Sequence, residues 1–224
     1  LPGHGFTEPI AKGRPTLPAM ADGLAALLRE IDVTPAVAVG HSAGAAILLR
    51  MGLDSAINPR LLVSINGALL PFRGLASRMF PSLARMLVVN PLVSRTLALS
   101  ASGRTVERMI SGSGSTIDEA GMRLYGQLFR SHRHVGATLQ MMANWDLEPL
   151  ERDLPRLQVP TLLLVGQGDL YVAPTESKLV ARLIPHGERV SLPALGHLMH
   201  EEAPEATVAI ILDRARAAGA LDTP

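Results

Sequence analysis

The sequence predicts an α/β fold, a mostly parallel sheet flanked by helices, with a helical segment inserted between two of its strands. Three observations lead there. Short apolar runs alternate with helical patterns over residues 16–65 and again over 161–217. Between Phe72 and Trp145 the alternation stops, and Leu, Met and Arg recur at helical spacing instead. Finally, 224 residues at 47% hydrophobic and 18% charged content supply material for a sizeable core.

Taken in order, Met20, Leu24, Leu27, Leu28 and Ile31 mark one face of a helix, behind a Thr16 cap and with Pro18 in its first turn. Residues 36–39 (AVAV) form an apolar run stopped by Gly40, the pattern of a strand buried on both faces. Residues 43–51 read as helix, and 60–65 (RLLVSI) as a strand ending in the turn pair Asn66-Gly67. The next segment is broken at Pro81, Pro91, Gly103 and the turn Gly112-Ser113-Gly114-Ser115. It divides the chain into a first core part (1–71), a helical cap (72–153) and a second core part (154–224). The sheet pattern resumes at 161–165, followed by a loop over 166–173 and a helix opened by Pro174. A last strand, 189–192, precedes Gly196-His197, and a helix from Pro204 places Val208, Ile211, Leu212 and Ala215 on one face. Neither an internal repeat nor a low-complexity tract is present.

Composition removes several function classes. Lys plus Arg number 21 against 20 Asp plus Glu, a balance of +1 that gives no grip on nucleic acid through bulk charge. The absence of cysteine excludes disulfides, iron–sulfur clusters, cysteine zinc sites and thiol nucleophiles. The longest stretch without a charged side chain, 33–49, contains Pro35, Gly40, His41, Ser42 and Gly44 and falls short of the roughly 20 apolar residues of a spanning helix. The chain opens on Leu-Pro-Gly-His-Gly with neither Met nor a signal peptide. The expectation is a cytoplasmic protein that has lost its true N-terminus, whose exposed sheet edge makes it aggregate.

The chemistry concentrates at Gly40-His41-Ser42-Ala43-Gly44, a G-x-S-x-G sequence lying directly after an apolar strand and directly before a helix. A sharp strand-to-helix turn would hold Ser42 strained and presented above the sheet, with Gly40 and Gly44 removing β-carbons that would otherwise clash. The Ala43 amide and the N-terminus of the following helix point to the same spot and form an oxyanion site. A serine hydroxyl needs a base, and the base needs an acid to orient it. Asp169 follows the strand at 161–165 and His197 follows the last strand, both at carboxyl ends where α/β sheets place their crevice. The chain order Ser42, Asp169, His197 is the one hydrolases of this architecture use. His200 is the rival base, placed lower because it lacks the strand-end glycine that precedes His197. His4 reads as a turn residue packing under the site, and His132, His134 and His186 as solvated; no metal-ligand spacing and no cofactor motif is found.

These residues resemble the α/β-hydrolase superfamily across essentially the whole chain: 1–7 (LPGHGFT), 40–44, 166–169 and 196–197. The resemblance implies several strands ahead of the LPGHG turn and a second oxyanion amide, neither of which the chain contains. Two less generic segments, 64–74 (SINGALLPFRG) and 141–150 (MMANWDLEPL), resemble the magnesium-chelatase accessory proteins of bacteriochlorophyll biosynthesis, an α/β-hydrolase-like family of phototrophic bacteria. That family implies a role beside magnesium chelatase, with an ester-like or tetrapyrrole substrate contacted by Asn66 and Trp145. An active serine hydrolase, a non-catalytic porphyrin-handling module and a generic ester or carbon–carbon bond hydrolase all stay open. Between Phe72 and Trp145 stand nine Arg and no Lys against Glu107, Asp118 and Glu119, a local +6 that leaves −5 elsewhere. Six of the nine Met are there too. Such a surface suits a porphyrin gripped by Arg73, Arg78 and Arg85, an anionic membrane surface, an acidic chelatase subunit, or plain solvation outside a Met-filled interior.

Overall fold

Four strands pair in the order β1 (Val37–His41), β2 (Leu61–Ile65), β3 (Thr161–Gly166), β4 (Gly187–Leu192), all parallel, in a computed structural model that describes residues 1–10, 13–71, 91–100 and 102–222. Arg73, Arg78, Arg85, Met79 and Met86 lie outside the described residues. β1 runs through Gly40 to His41, because both still pair with Ser64 and Ile65 of β2. Glycine therefore does not end the strand here; the turn begins one residue later.

β2 and β3 are buried along their whole length, and their alternation sorts side chains onto two faces. Leu62 and Leu163 join α1 (Leu17–Glu30), α2 (Ala43–Leu53) and α8 (Glu176–Leu183) in the larger core, with Met20, Leu49, Met51 and Ile184 almost wholly buried. Leu61, Val63, Ile65, Leu162 and Leu164 face the other way, against α9 (Met199–Glu202) and α10 (Pro204–Ala217). Burying one such leucine is worth roughly 1.5–3 kcal/mol, so the doubly covered middle strands hold the sheet. On α10 the buried residues are Thr207 and Ala215, with Ile210 and Ile211 packed beside them, whereas Val208 is 50% exposed and Leu212 lies at the margin. Of the face predicted from Val208, Ile211, Leu212 and Ala215, Ile211 and Ala215 pack against the sheet while Val208 and Leu212 turn outward. Likewise α8 starts at Glu176, two residues after the Pro174 expected to open it.

Between β2 and β3 the described residues form α3 (Pro91–Leu99), α4 (Gly103–Gly112), α5 (Glu119–Arg130), α6 (His132–Ala143), α7 (Glu148–Asp153) and a 3-10 turn, Leu154–Arg156. Ser102, Asp118 and Ser131 cap the three middle helices through their side chains. A small third core of Val106 and Ile110 from α4, with Met122, Tyr125 and Phe129 of α5 against it, also takes in Leu198, the residue after His197. Among the described residues no helix is long and apolar enough to cross a membrane.

Candidate active site

Ser42 stands between β1 and α2 with φ 52° and ψ −120°, a left-handed backbone setting that is strained for any residue carrying a β-carbon. Its N–H donates to the Ile65 carbonyl at 3.0 Å, and its own carbonyl accepts from Ala45 and Ala68, each at 3.2 Å. The turn is tight because Gly40 permits it: a β-carbon there would come within 2.7 Å of the Ala45 nitrogen and the Gly44 carbonyl. Gly44 differs from the expectation. A β-carbon on it meets nothing within 4 Å, so this glycine is not required by packing within the described chain. Ala43 opens α2, where the first N–H groups have no intrahelical acceptor.

On the facing loops, His197 Nδ1 and Asp169 Oδ2 are 2.8 Å apart, with the two side chains 8% and 1% exposed. The other carboxylate oxygen, Oδ1, accepts from the Tyr171 and Val172 amides at 2.8 and 2.9 Å. Asp169 is thereby fixed by its own loop and aims one oxygen at the imidazole. No hydrogen bond joins Ser42 Oγ to His197 Nε2.

His200 has only the neighbouring Glu201, whose Oε1 stands 3.7 Å from His200 Nε2, beyond hydrogen-bond reach. The His200 ring packs against His41 with centroids 4.5 Å apart, and its Nδ1 is buried without a hydrogen-bond partner among the described residues. Burial holds His200 below the usual histidine range. His41 lies between His200 and His197, 4.7 Å from the latter, and its Nε2–H donates to the His197 carbonyl at 2.8 Å. Desolvation, followed by the neighbouring imidazoles of His197 and His200, lowers its pKa to about 4, so His41 is neutral near pH 7.

Asn66 was expected at the substrate. Its side chain is instead spent on the framework: Nδ2 donates to the Gly196 and His197 carbonyls, both at 2.9 Å, and Oδ1 accepts from Gly166 N–H at 2.8 Å. At 2% exposure and φ 44°, Asn66 ties the ends of β2 and β3 to the histidine loop and has no donor left for a ligand. Trp145 packs against the larger core, its indole Nε1 buried and without a hydrogen-bond partner among the described residues. His4 does not reach the site either; it bonds Pro2 O and meets His134 of α6 edge to face, 5.5 Å between centroids. His134 is half-buried and its Nδ1 accepts from Gly5 N–H at 3.2 Å, so it is not the solvated histidine expected, and desolvation lowers its pKa.

The turn at 112–115, seen in the sequence only as a helix break, reaches the same loops. The Ser113 carbonyl accepts from His197 N–H and Leu170 N–H, each at 3.2 Å, and Ser115 Oγ accepts from Leu198 N–H at 2.8 Å. Its sequence signal was the Gly-Ser-Gly-Ser run, whose partners lie more than fifty residues away.

A strained serine at the strand-to-helix turn on a parallel sheet's carboxyl edge, with a buried Asp–His pair on the loops that follow β3 and β4, is the architecture of the α/β hydrolases. The sequence model described as alpha/beta hydrolase family matches residues 1–210, and the chain belongs to that family. Over 214 residues it is 39% identical to the magnesium-chelatase 30 kDa subunit of Rhodobacter capsulatus, covering 95% of this chain and 74% of that one. It is 26% identical to the sn-1-specific diacylglycerol lipase ABHD11 of Mus musculus over 200 residues, 84% of this chain and 61% of that protein. Among solved structures, a thermophilic esterase from Thermogutta terrifontis superposes with a TM-score of 0.76 at 25% identity, over 97% of this chain and 78% of that one.

Proposed function

We propose that this protein is an α/β-hydrolase-fold accessory protein of magnesium chelatase in bacteriochlorophyll synthesis that retains a Ser42–Asp169–His197 triad. The observation that carries the chemistry is the buried 2.8 Å contact between His197 and Asp169, at the same carboxyl edge of the sheet as the strained Ser42. The 39% identity to a magnesium-chelatase subunit supports the pathway. In the reaction, His197 Nε2 takes the Ser42 proton as Oγ attacks an ester-like carbonyl. The developing oxyanion is met by the Ala43 N–H and the N-terminus of α2, and Asp169 stabilises the imidazolium. His197 then hands its proton to the leaving oxygen, and water releases the acyl group by the reverse route.

A cavity of about 350 Å³ between α4 and α5 is lined by Val106, Met122, Arg123 and Arg130, with Glu119 3.8 Å from Arg123, and its two guanidiniums against one carboxylate suit a ligand with an apolar body and an anionic group, such as a tetrapyrrole carrying carboxylates. A second reading, a porphyrin-handling module with an idle triad, is favoured by the place of this cavity, whose lining includes none of Ser42, Asp169 and His197. Deleting the gene in a phototrophic host and restoring either wild type or Ser42→Ala separates the two. Pigment restored by wild type alone supports the enzyme, and restoration by both supports the module. A deletion that leaves pigment unchanged rejects the pathway assignment.

A further inference from the structure

The geometry points to the turn Ser113-Gly114-Ser115 as the positioning element of the Asp169–His197 pair, so that the helical segment between β2 and β3 is structurally continuous with the catalytic loops. The inference rests on reading Asp169 and His197 as the orienting acid and the base.

The case starts from one carbonyl. Ser113 O accepts from the backbone N–H of His197 itself and from that of Leu170, the residue after Asp169, so a single acceptor joins the acid loop to the base loop. Two residues on, Ser115 Oγ accepts from Leu198 N–H at 2.8 Å. Ser113 and Ser115 are each 2% exposed, so no water replaces these bonds cheaply. Gly114 between them has φ 83°, and a β-carbon on it would fall on the Gly168 carbonyl. Gly196, just before His197, has the reciprocal constraint: its β-carbon would fall on Gly114. Three chain segments thus pass at backbone contact, and no side chain can be inserted between them.

Further ties reach outward from this knot. Tyr171 OH donates to Met109 O of α4 at 2.8 Å, and Tyr125 OH of α5 donates to Glu201 Oε1 at 2.6 Å. Glu202 accepts from Gly196 N–H through Oε1 at 2.8 Å and from Thr116 N–H through Oε2 at 3.3 Å. Leu198 is buried in the core that α4 and α5 share. A lid hinged freely over a finished active site would have none of these bonds. Movement of α4 is therefore transmitted to the His197 backbone, and a ligand that shifts α4 alters the base as well as access to it.

Ser115→Ala and Gly114→Ala in the full chain test this, with two readouts. The first is the rate at which a fluorophosphonate probe labels Ser42. The second is the His197 Nδ1–H proton resonance, which reports the bond to Asp169 whether or not the serine reacts. Ser115→Ala is expected to slow labelling roughly tenfold and to shift or broaden that resonance, since an imidazole displaced by a fraction of an ångström loses alignment. Gly114→Ala is expected to slow labelling further, on the order of 10²-fold. A Ser115→Ala protein with wild-type labelling and an unshifted resonance overturns the inference. So does one that melts at a lower temperature with the resonance unmoved, which is a structural role only. A wild type that takes no label rejects the hydrolase reading, and the resonance then decides the positioning role on its own.

Discussion

Gly40 and Gly44 flank Ser42 symmetrically in sequence yet not in space. A β-carbon at Gly40 would stand 2.7 Å from backbone atoms of α2 that cannot move without opening the turn, whereas one at Gly44 stands free. Gly40→Ala is accordingly expected to cost about 3 kcal/mol or more in urea unfolding and to abolish Ser42 labelling. Gly44→Ala should be neutral or stabilise by roughly 0.5–1 kcal/mol, because alanine is the better helix former. Equal losses for the two would contradict the geometry. His41 gives a second residue-scale prediction. Its pKa falls from 6.5 to about 4 on folding, so the unfolded chain binds more protons between those values and stability drops as pH falls through that window. The loss is fully present below about pH 4 and amounts to no more than about 3 kcal/mol. His41→Gln keeps a donor toward the His197 carbonyl without the titration, and unfolding between pH 4.5 and 7 should then depend less steeply on pH. An unchanged slope would assign the acid sensitivity to other groups.

At the scale of elements, what was legible in the sequence is what local pattern can carry. The strand-to-helix turn at Ser42 and the strand-end positions of Asp169 and His197 follow from apolar runs and glycines close by in the chain. The roles of Asn66 and Ser115 do not, because their partners lie 100 and 83 or more residues away, and an amide or hydroxyl in a loop looks the same whether it faces solvent or a distant carbonyl. α10 shows the complementary error: helical spacing located the helix, but its rotation was set by how α10 meets the sheet, which turned Val208 outward. A polar tie of the same long-range kind joins α2 to α7. Arg50 donates to Asp153 at 2.9 Å and also binds Asp54, with the Arg50 and Asp153 side chains 11% and 16% exposed. Arg50 draws the Asp153 carboxyl below its ordinary range. Asp153→Ala should therefore destabilise by about 1 kcal/mol, and part of that loss should vanish in 1 M salt. A loss that is independent of salt would identify packing rather than charge as the link.

Across the whole molecule the sheet has two edges among the described residues, and they differ. β4 carries charge: Glu188 is bonded through both carboxylate oxygens to Arg214, and Arg189 donates to Ser177. Bound charges on an edge discourage pairing with another chain. β1 reads Val-Ala-Val-Gly-His, has no charged residue, and leaves Val39 48% exposed beside unpaired backbone groups. The physics that stabilises the interior strands, continuous apolar side chains and an open ladder, here faces outward. The 224-residue chain is consequently expected to self-associate through β1, with an apparent mass by light scattering that rises with concentration. Val39→Lys should reduce that association at least severalfold while leaving the Asp169–His197 pair intact, because the lysine extends into water and burdens any second strand with an unpaired charge. A monomeric wild type with a sharp, cooperative thermal transition would show that β1 is protected in solution. An association unaffected by Val39→Lys would instead move the contact to another face, with exposed Leu99 and Leu124 on α3 and α5 the next residues to test.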